Sequence, residues 1–394
     1  MKLWDRGGAH DDEVHAFTVG DDQLLDERLV RYDCEASIAH ARMLAHIGLL
    51  EVGEADSLEA ELRNLIALHA RQEFGLDPQD EDCHSAIERH LTERLGVAGK
   101  KIHLGRSRND QVLVALRLYE KDALASVGAA VDGLGEALAI RIAAQGEVRI
   151  PGYTHMQKAM PSSVGMWLGS YRDALQDDQV LLGAVRELLD QNPLGTAAGF
   201  GVPVFALDRG MTTKALGFSR VQANPMYAQL SRGKLEASVL HGLSQVMLDV
   251  NRLASDLLLF TTVEFGFVSL PASLCTGSSI MPQKKNADAL ELVRGQYHAV
   301  LGLQWQVQSL LGNLMSGYNR DVQLTKGPVM RGLDVTRASV RIMSRIVSEL
   351  QIDEARCQAA MTEELYATQQ AYELVRQGVP FRDAYRRMAE RYKE

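Results

Sequence analysis

What the chain has little of narrows it first. Its four cysteines, Cys34, Cys83, Cys275 and Cys357, stand far apart and show no CxxC or Cys/His spacing. Neither a disulfide framework nor a zinc site is suggested, and a reducing compartment is the expectation. Aromatics make up only 6% and prolines number 10, while Leu, Ala and Val are plentiful; that balance favours helices over sheets, so an all-α fold is expected. A basic excess is also missing. The formal net charge is −9, which argues against nucleic acid or acidic membrane as a partner, and any anion site must therefore be locally basic. Charges never vanish for the ~18 residues a membrane span needs, and the first residues lack an apolar core of signal-peptide length. A cytoplasmic location is the expectation. With 394 residues, 46% hydrophobic and 24% charged, the chain can bury a large core in two or three domains.

What is present concentrates in a few short strings. Gly277-Ser278-Ser279-Ile280-Met281-Pro282-Gln283-Lys284-Lys285-Asn286 reads as a loop, since Gly and Ser are permissive and Pro282 denies a helix across it. It packs two hydroxyls, two ammonium groups and a carboxamide just before a long apolar-periodic segment, at a helix N-terminus where anions are favoured. A solvated basic connection is the plainer reading of such a loop; a carboxylate site is the sharper one. The string Arg106-Ser107-Arg108-Asn109-Asp110-Gln111 likewise precedes a periodic run, and reads either as a solvated cap or as a carboxylate site. Pro151 to Gln157 turns the chain and carries Thr154 and His155. His84 and Glu88 form an i,i+4 pair at the start of another helix, and Arg232 follows a short polar stretch.

Three long helices are read from their stripes. The first carries Leu113, Leu116, Leu124, Val127, Val131, Leu134 and Leu138 and runs to about Gln145. The second carries Leu235 to Phe260 at spacings of three and four, and the third carries Leu290, Val293, Tyr297, Val300, Val307, Leu311 and Leu314, with Gln304 interrupting it. These are seams of bundle packing. A further helix is expected from about Pro161 to Leu189. The domain reading is a helical segment 1–105, a central long-helix bundle 106–350 and a small helical segment 351–394.

The loop resembles the Gly-Ser-Ser-x-Met-Pro-x-Lys-x-Asn signature of the fumarase/aspartase superfamily, and its Gln-Lys-Lys-Asn ending is similar to the argininosuccinate lyase branch. Further resemblances to that branch are Gly105 to Gln111 (with Leu104 where Thr is usual), Gly152-Tyr-Thr-His155, Glu81-Asp-Cys-His84, Gly378 to Asp383, and Tyr318, Gln323 and Lys326 at matching spacing. The chain departs from it at Asp5-Arg6-Gly7-Gly8, at Phe17 to Asp21, and around Arg232. The resemblance implies a three-domain fold and a β-elimination that converts argininosuccinate to arginine and fumarate, the last step of arginine biosynthesis, with no cofactor and no metal. It implies Ser278 as base, Lys284 and Asn286 on the doubly charged aci-carboxylate, and His155 with Glu291 at the leaving nitrogen. Ser107, Asn109, Thr154 and Lys326 would fix carboxylates with Arg108, while Tyr318 and Gln323 would orient the amino-acid part. Two alternatives stay open: another fumarate-releasing lyase acting on a related N-succinyl compound, and a non-catalytic structural relative.

Helix length adds one expectation. About 37 helical residues run from Asn109 to about Gln145, and at ~1.5 Å each they put His155, just beyond the helix end, some ~55 Å from Asn109. If both serve one substrate, chains must pack antiparallel to share sites, and the resemblance implies a homotetramer.

Overall fold

The computed structural model describes residues 11–77 and 80–392. The departure noted at Asp5 to Gly8 lies outside the described residues. The chain is built of helices, with short strands only in two-stranded pairs. Its contacts divide it into two compact units, each assembled from three separate segments. One is Met1–Ser126, Leu181–Leu243 and Leu301–Asp334; the other is Val127–Val180, Ser244–Val300 and Val335–Glu394. This grouping is by contact rather than by consecutive segments such as 1–105 and 351–394.

The long helices follow their stripes. The first spans Arg108–Gln145, and all seven stripe residues from Leu113 to Leu138 are buried. Lys234–Phe260 buries its whole seam from Leu235 to Phe260. The third helix spans Asp288–Leu310 and stops short of the expected Leu311 and Leu314, where the chain turns at Asn313 (φ 66°); the buried Gln304 that interrupts its stripe meets His241 at 3.3 Å. By length and mean hydropathy alone Arg108–Gln145 could cross a bilayer. It also buries Arg117 and Glu120, which only protein neighbours can satisfy. The Arg117 guanidinium donates to the Gln191 carbonyl and to Gln222 Oε1, both at 2.7 Å, and to Ser231 Oγ at 3.0 Å.

In the first unit, Val30–His46 pairs with Val52–Ala70, which starts with a reciprocal Glu51/Glu54 capping box. Cys83–Leu95 is capped by Asp82, whose carboxylate accepts the Ser85 N–H. A core of Ala36, Val114, Leu118, Leu194 and Phe218 joins the helices to the parallel strand pair Gln191–Asn192 and Arg220–Val221. After the helix Pro225–Leu230 the chain turns at Gly233, φ 77°, where an added Cβ would meet Leu311 Cδ2 at 2.2 Å. Only glycine fits that left-handed turn, which sets Arg232 just ahead of the Lys234–Phe260 helix.

The second unit departs from the helical expectation in a short antiparallel pair, Val268–Ser269 with Gln351–Ile352, and more fully in a hairpin. Residues 149–163 form an antiparallel hairpin, Arg149–Thr154 with Gln157–Ser163, bulged at Gly152/Tyr153, and the next helix starts at Val164 rather than Pro161. Pro151 and Pro161 face each other across the ladder, and neither can sit inside a helix. Beneath it lie aromatic rings: Phe260 is 5.0 Å from Trp167 and 5.3 Å from Phe267, and Tyr153 is 5.8 Å from Phe265. Asp256 accepts from Trp167 Nε1 at 2.9 Å and Tyr171 Oη at 2.6 Å. The chain ends in the helices Glu354–Ala359, Ala367–Arg376 and Phe381–Arg391.

Candidate active site

The first unit contains a cleft of about 250 Å³. Of the expected site residues it gathers Arg108, Asn109, Tyr318, Gln323 and Lys326, together with His84 and Arg232. Four carboxylates also line it: Glu81 and Asp82 from the Glu81-Asp-Cys-His84 string, and Asp22 and Asp26, which local pattern did not single out. Ser107 sits beside it as part of the helix start, its Oγ accepting the Asn109 N–H at 3.3 Å.

Most of this charge is already paired. Lys326, with a side chain 4% exposed, lies 2.5 Å from Asp26 and 3.0 Å from Asp22. Burial opposes its charge, yet the two carboxylates outweigh that and raise its pKa. Arg108 donates to Glu81 and to Ser85 Oγ, each at 2.7 Å, and stands 3.4 Å from Asp82; these anions raise its pKa against the cost of burial. The Gln323 amide donates to the Thr18 carbonyl at 3.0 Å, and Arg320 donates to the same carbonyl at 2.9 Å. The two together tie the Arg320–Thr325 turn to the end of the helix Asp12–Val19.

His84 does not pair with Glu88 as its spacing suggested. Its Nδ1 lies 2.9 Å from buried Asp33, which also accepts from the Gln111 amide at 3.0 Å. Burial works against the imidazolium, but Asp33 raises the His84 pKa, and His84 lowers that of Asp33 in turn. Its Nε2 is buried without a partner, as is Nη1 of Arg232, whose guanidinium lies 5.1 Å from the centre of the Tyr318 ring. The cleft therefore holds two buried polar groups that a ligand could satisfy.

The second unit carries the remaining expected residues, most of them exposed. Thr154 and His155 are at the tip of the hairpin, where His155 (φ 52°) and Met156 (φ 61°) form a two-residue turn with both φ positive. That conformation is uncommon for a non-glycine residue, and strain of this kind clusters at functional sites. The Gly277 to Asn286 loop is closed at its base by a bridge: Thr276 donates to the Asn286 carbonyl at 3.0 Å, and Asn286 returns a bond at 2.9 Å. The Asn286 side chain donates to the Gly277 carbonyl at 3.3 Å. Ser278 Oγ accepts the Met281 N–H at 3.2 Å and the Ile280 N–H at 3.4 Å. Such donors favour negative charge on that oxygen. Lys284 is exposed at the loop, and Glu291 is exposed in the first turn of Asp288–Leu310.

The sequence had drawn attention to His84 and Arg232 without giving either a role. Asp22 and Asp26 carried no such signal: their partner Lys326 is about 300 residues away, beyond the reach of any periodicity.

The chain is similar to known proteins along most of its length. A lyase family model matches residues 8–302. The argininosuccinate lyase of Thermotoga neapolitana is 50% identical over 99% of this chain and 98% of its own length, and that of Sorangium cellulosum is 49% identical over 99% of this chain and 90% of its own. Among solved structures, an EDDS lyase in complex with formate superposes with a TM-score of 0.82 at 26% identity, over 97% of this chain and 76% of that one. A class II fumarase from Schistosoma mansoni shares the fold, with a TM-score of 0.79 at 18% identity over 99% of this chain and 93% of its own. With the family model spanning most of the chain and relatives about half identical along nearly all of it, the chain belongs to the argininosuccinate lyase family.

Proposed function

We propose that this protein eliminates arginine from argininosuccinate and releases fumarate, the reaction that completes arginine biosynthesis. The observation that carries the proposal is the 50% identity to an argininosuccinate lyase along nearly the full length. The cleft supports it. Its cations and carboxylates, side by side, suit a substrate that is itself an amino acid with further carboxylates.

In this reading Ser278, as alkoxide, takes a proton from the carbon next to a succinyl carboxylate. The electron pair moves into that carboxylate, forming a doubly charged aci-carboxylate, and Lys284, Asn286 and loop amides stabilise it. The pair then returns to form the double bond, the C–N bond breaks, and the leaving nitrogen accepts a proton from His155, which Glu291 steadies. Arginine and fumarate depart. Thr154 and Asn109, with Ser107 and Arg108, hold the succinyl carboxylates, while Tyr318, Gln323 and Lys326 hold the arginine end. The Ser278 base role draws support from the two N–H donors on its oxygen. No cofactor enters these steps, and a cytoplasmic setting suits them.

The protein is further proposed to act as a homotetramer with each site shared between subunits. Asn109, Tyr318 and Lys326 belong to one unit, and His155, Ser278 and Lys284 to the other. Asn109 opens, and His155 follows, a helix of 38 residues, about 57 Å long. Mixing inactive His155→Ala with inactive Lys326→Ala protein, then dissociating and reassembling them, should restore part of the activity. Mixtures that stay inactive despite verified subunit exchange would overturn the shared site.

The likeness to EDDS lyase favours testing a second reading, a lyase for another N-succinyl compound. Fumarate release, followed by its ultraviolet absorbance, should be measured on argininosuccinate, adenylosuccinate, malate, aspartate and EDDS. Fastest turnover on argininosuccinate is expected. Turnover confined to another substrate would replace the proposal, and none at all would favour a non-catalytic relative.

A further inference from the structure

The cleft holds one carboxylate more committed to a ligand than to the fold. Glu81 faces two arginines, Arg108 at 2.7 Å and Arg320 at 3.4 Å. Asp82 caps a helix and accepts both the N–H and the hydroxyl of Ser85. Asp26, fully buried, takes Lys326 and the Cys83 N–H at 3.2 Å. Asp22 differs. Its only partner among the described residues is Lys326, on one oxygen, and its side chain stays 16% exposed in the cleft.

A carboxylate can accept about four hydrogen bonds, so Asp22 has capacity left. It sits in a mostly desolvated place, and burial raises its pKa. A cation from the ligand would relieve that cost. Close by, Arg232 is buried with Nη1 unpartnered, and Asp22 is among the charges that act on it. An acceptor for a cation and an orphan donor for an anion thus face the same small cleft. That pairing matches an α-amino-acid head group, with its ammonium and carboxylate on one carbon.

We propose that Asp22 is the specificity-determining residue of this cleft, accepting the α-ammonium of the arginine half of the substrate while Arg232 takes its α-carboxylate. The inference deepens the reading above and rests on it for the identity of the substrate. Asp22 touches no reacting atom in this scheme, so its loss acts on binding of one functional group.

The test compares inhibition of argininosuccinate turnover by arginine, by des-amino-arginine (which keeps the carboxylate and guanidinium but lacks the ammonium) and by fumarate. Losing a charge-assisted bond in Asp22→Asn should weaken inhibition by arginine roughly ten- to a hundredfold. Inhibition by des-amino-arginine and fumarate should change less than about threefold on the same scale. Asp22→Glu, which keeps the charge, should retain the preference for arginine over its des-amino analogue. Equal losses for arginine and the analogue would show that Asp22 only holds Lys326, and an unchanged arginine constant would show no contact at all; either result overturns the inference. If the unaltered protein does not turn over argininosuccinate, the functional reading fails. Calorimetric binding of arginine against des-amino-arginine then still decides the role of Asp22.

Discussion

Lys326 and Lys284 have the same side chain in opposite settings. Lys326 is 4% exposed, clamped between Asp22 and Asp26, whereas Lys284 stands exposed on a loop held mainly at its base and by short local bonds. The contrast extends to their surroundings. Around the cleft nearly every charge has a partner before any ligand arrives, and those partners come from helices far apart in sequence. The loop at Gly277 to Asn286 presents its groups with few neighbours. A prebuilt cleft lowers the ordering cost of binding, whereas the loop's groups are held mainly by bonds within the loop itself. For the proposed shared site this means that its residues need not be equally important to the fold. Substitutions in the loop should cost rate alone, and substitutions in the cleft should cost stability too.

The sharpest break of that contrast is Ser278→Ala. Turnover should fall by about two to four decades, the scale for losing a general base, while the melting temperature and oligomeric state stay unchanged. Near-normal turnover with argininosuccinate would remove Ser278 as the base. A melting temperature lowered by many degrees would place the loop with the folded core instead.

Lys326→Met tests the other side. It leaves Asp26, with a fully buried side chain, without its ion-pair partner, and removing one partner of a buried pair costs about 3–5 kcal/mol. Urea unfolding should show that loss alongside the loss of activity. Unchanged stability would mean that the cleft, like the loop, is dispensable to the fold.

The smallest effect concerns His84 and Asp33 beneath the cleft. The His84 pKa is raised in the folded protein, so its contribution is complete below the ordinary histidine value of about 6.5 and is lost as pH rises through its elevated folded value. Asp33 is lowered, so its share is present above about 3.9 and fades as pH falls through its depressed value. The melting difference between unaltered protein and His84→Gln should thus be largest near pH ~6 and shrink towards pH ~9. Ser278→Ala should show no such dependence, and a pH-independent gap for His84→Gln would deny the ion pair.

Much of this molecule follows from its sequence because much of it is locally coded. The Arg108–Gln145 helix ends at the residue its stripe indicated, since apolar periodicity and the absence of an interior proline act within a few turns. Asp82 ahead of Cys83, and the Gly/Ser/Pro content of the loop, are likewise local instructions. The motifs proposed to carry the chemistry are likewise short contiguous strings, recognisable one by one. The hairpin at His155 was legible only as a turn. Its strands exist because two proline-bearing segments pair across Thr154 and Gln157, and pairing register is not written in either segment alone. What only the tertiary structure decided is who faces whom. Asp22 and Asp26 meet Lys326, His84 meets Asp33 rather than Glu88, and Arg232 settles over Tyr318. The physical reason is that a buried charge must find its counter-charge wherever packing brings one within reach, and that search runs through space and not along the chain.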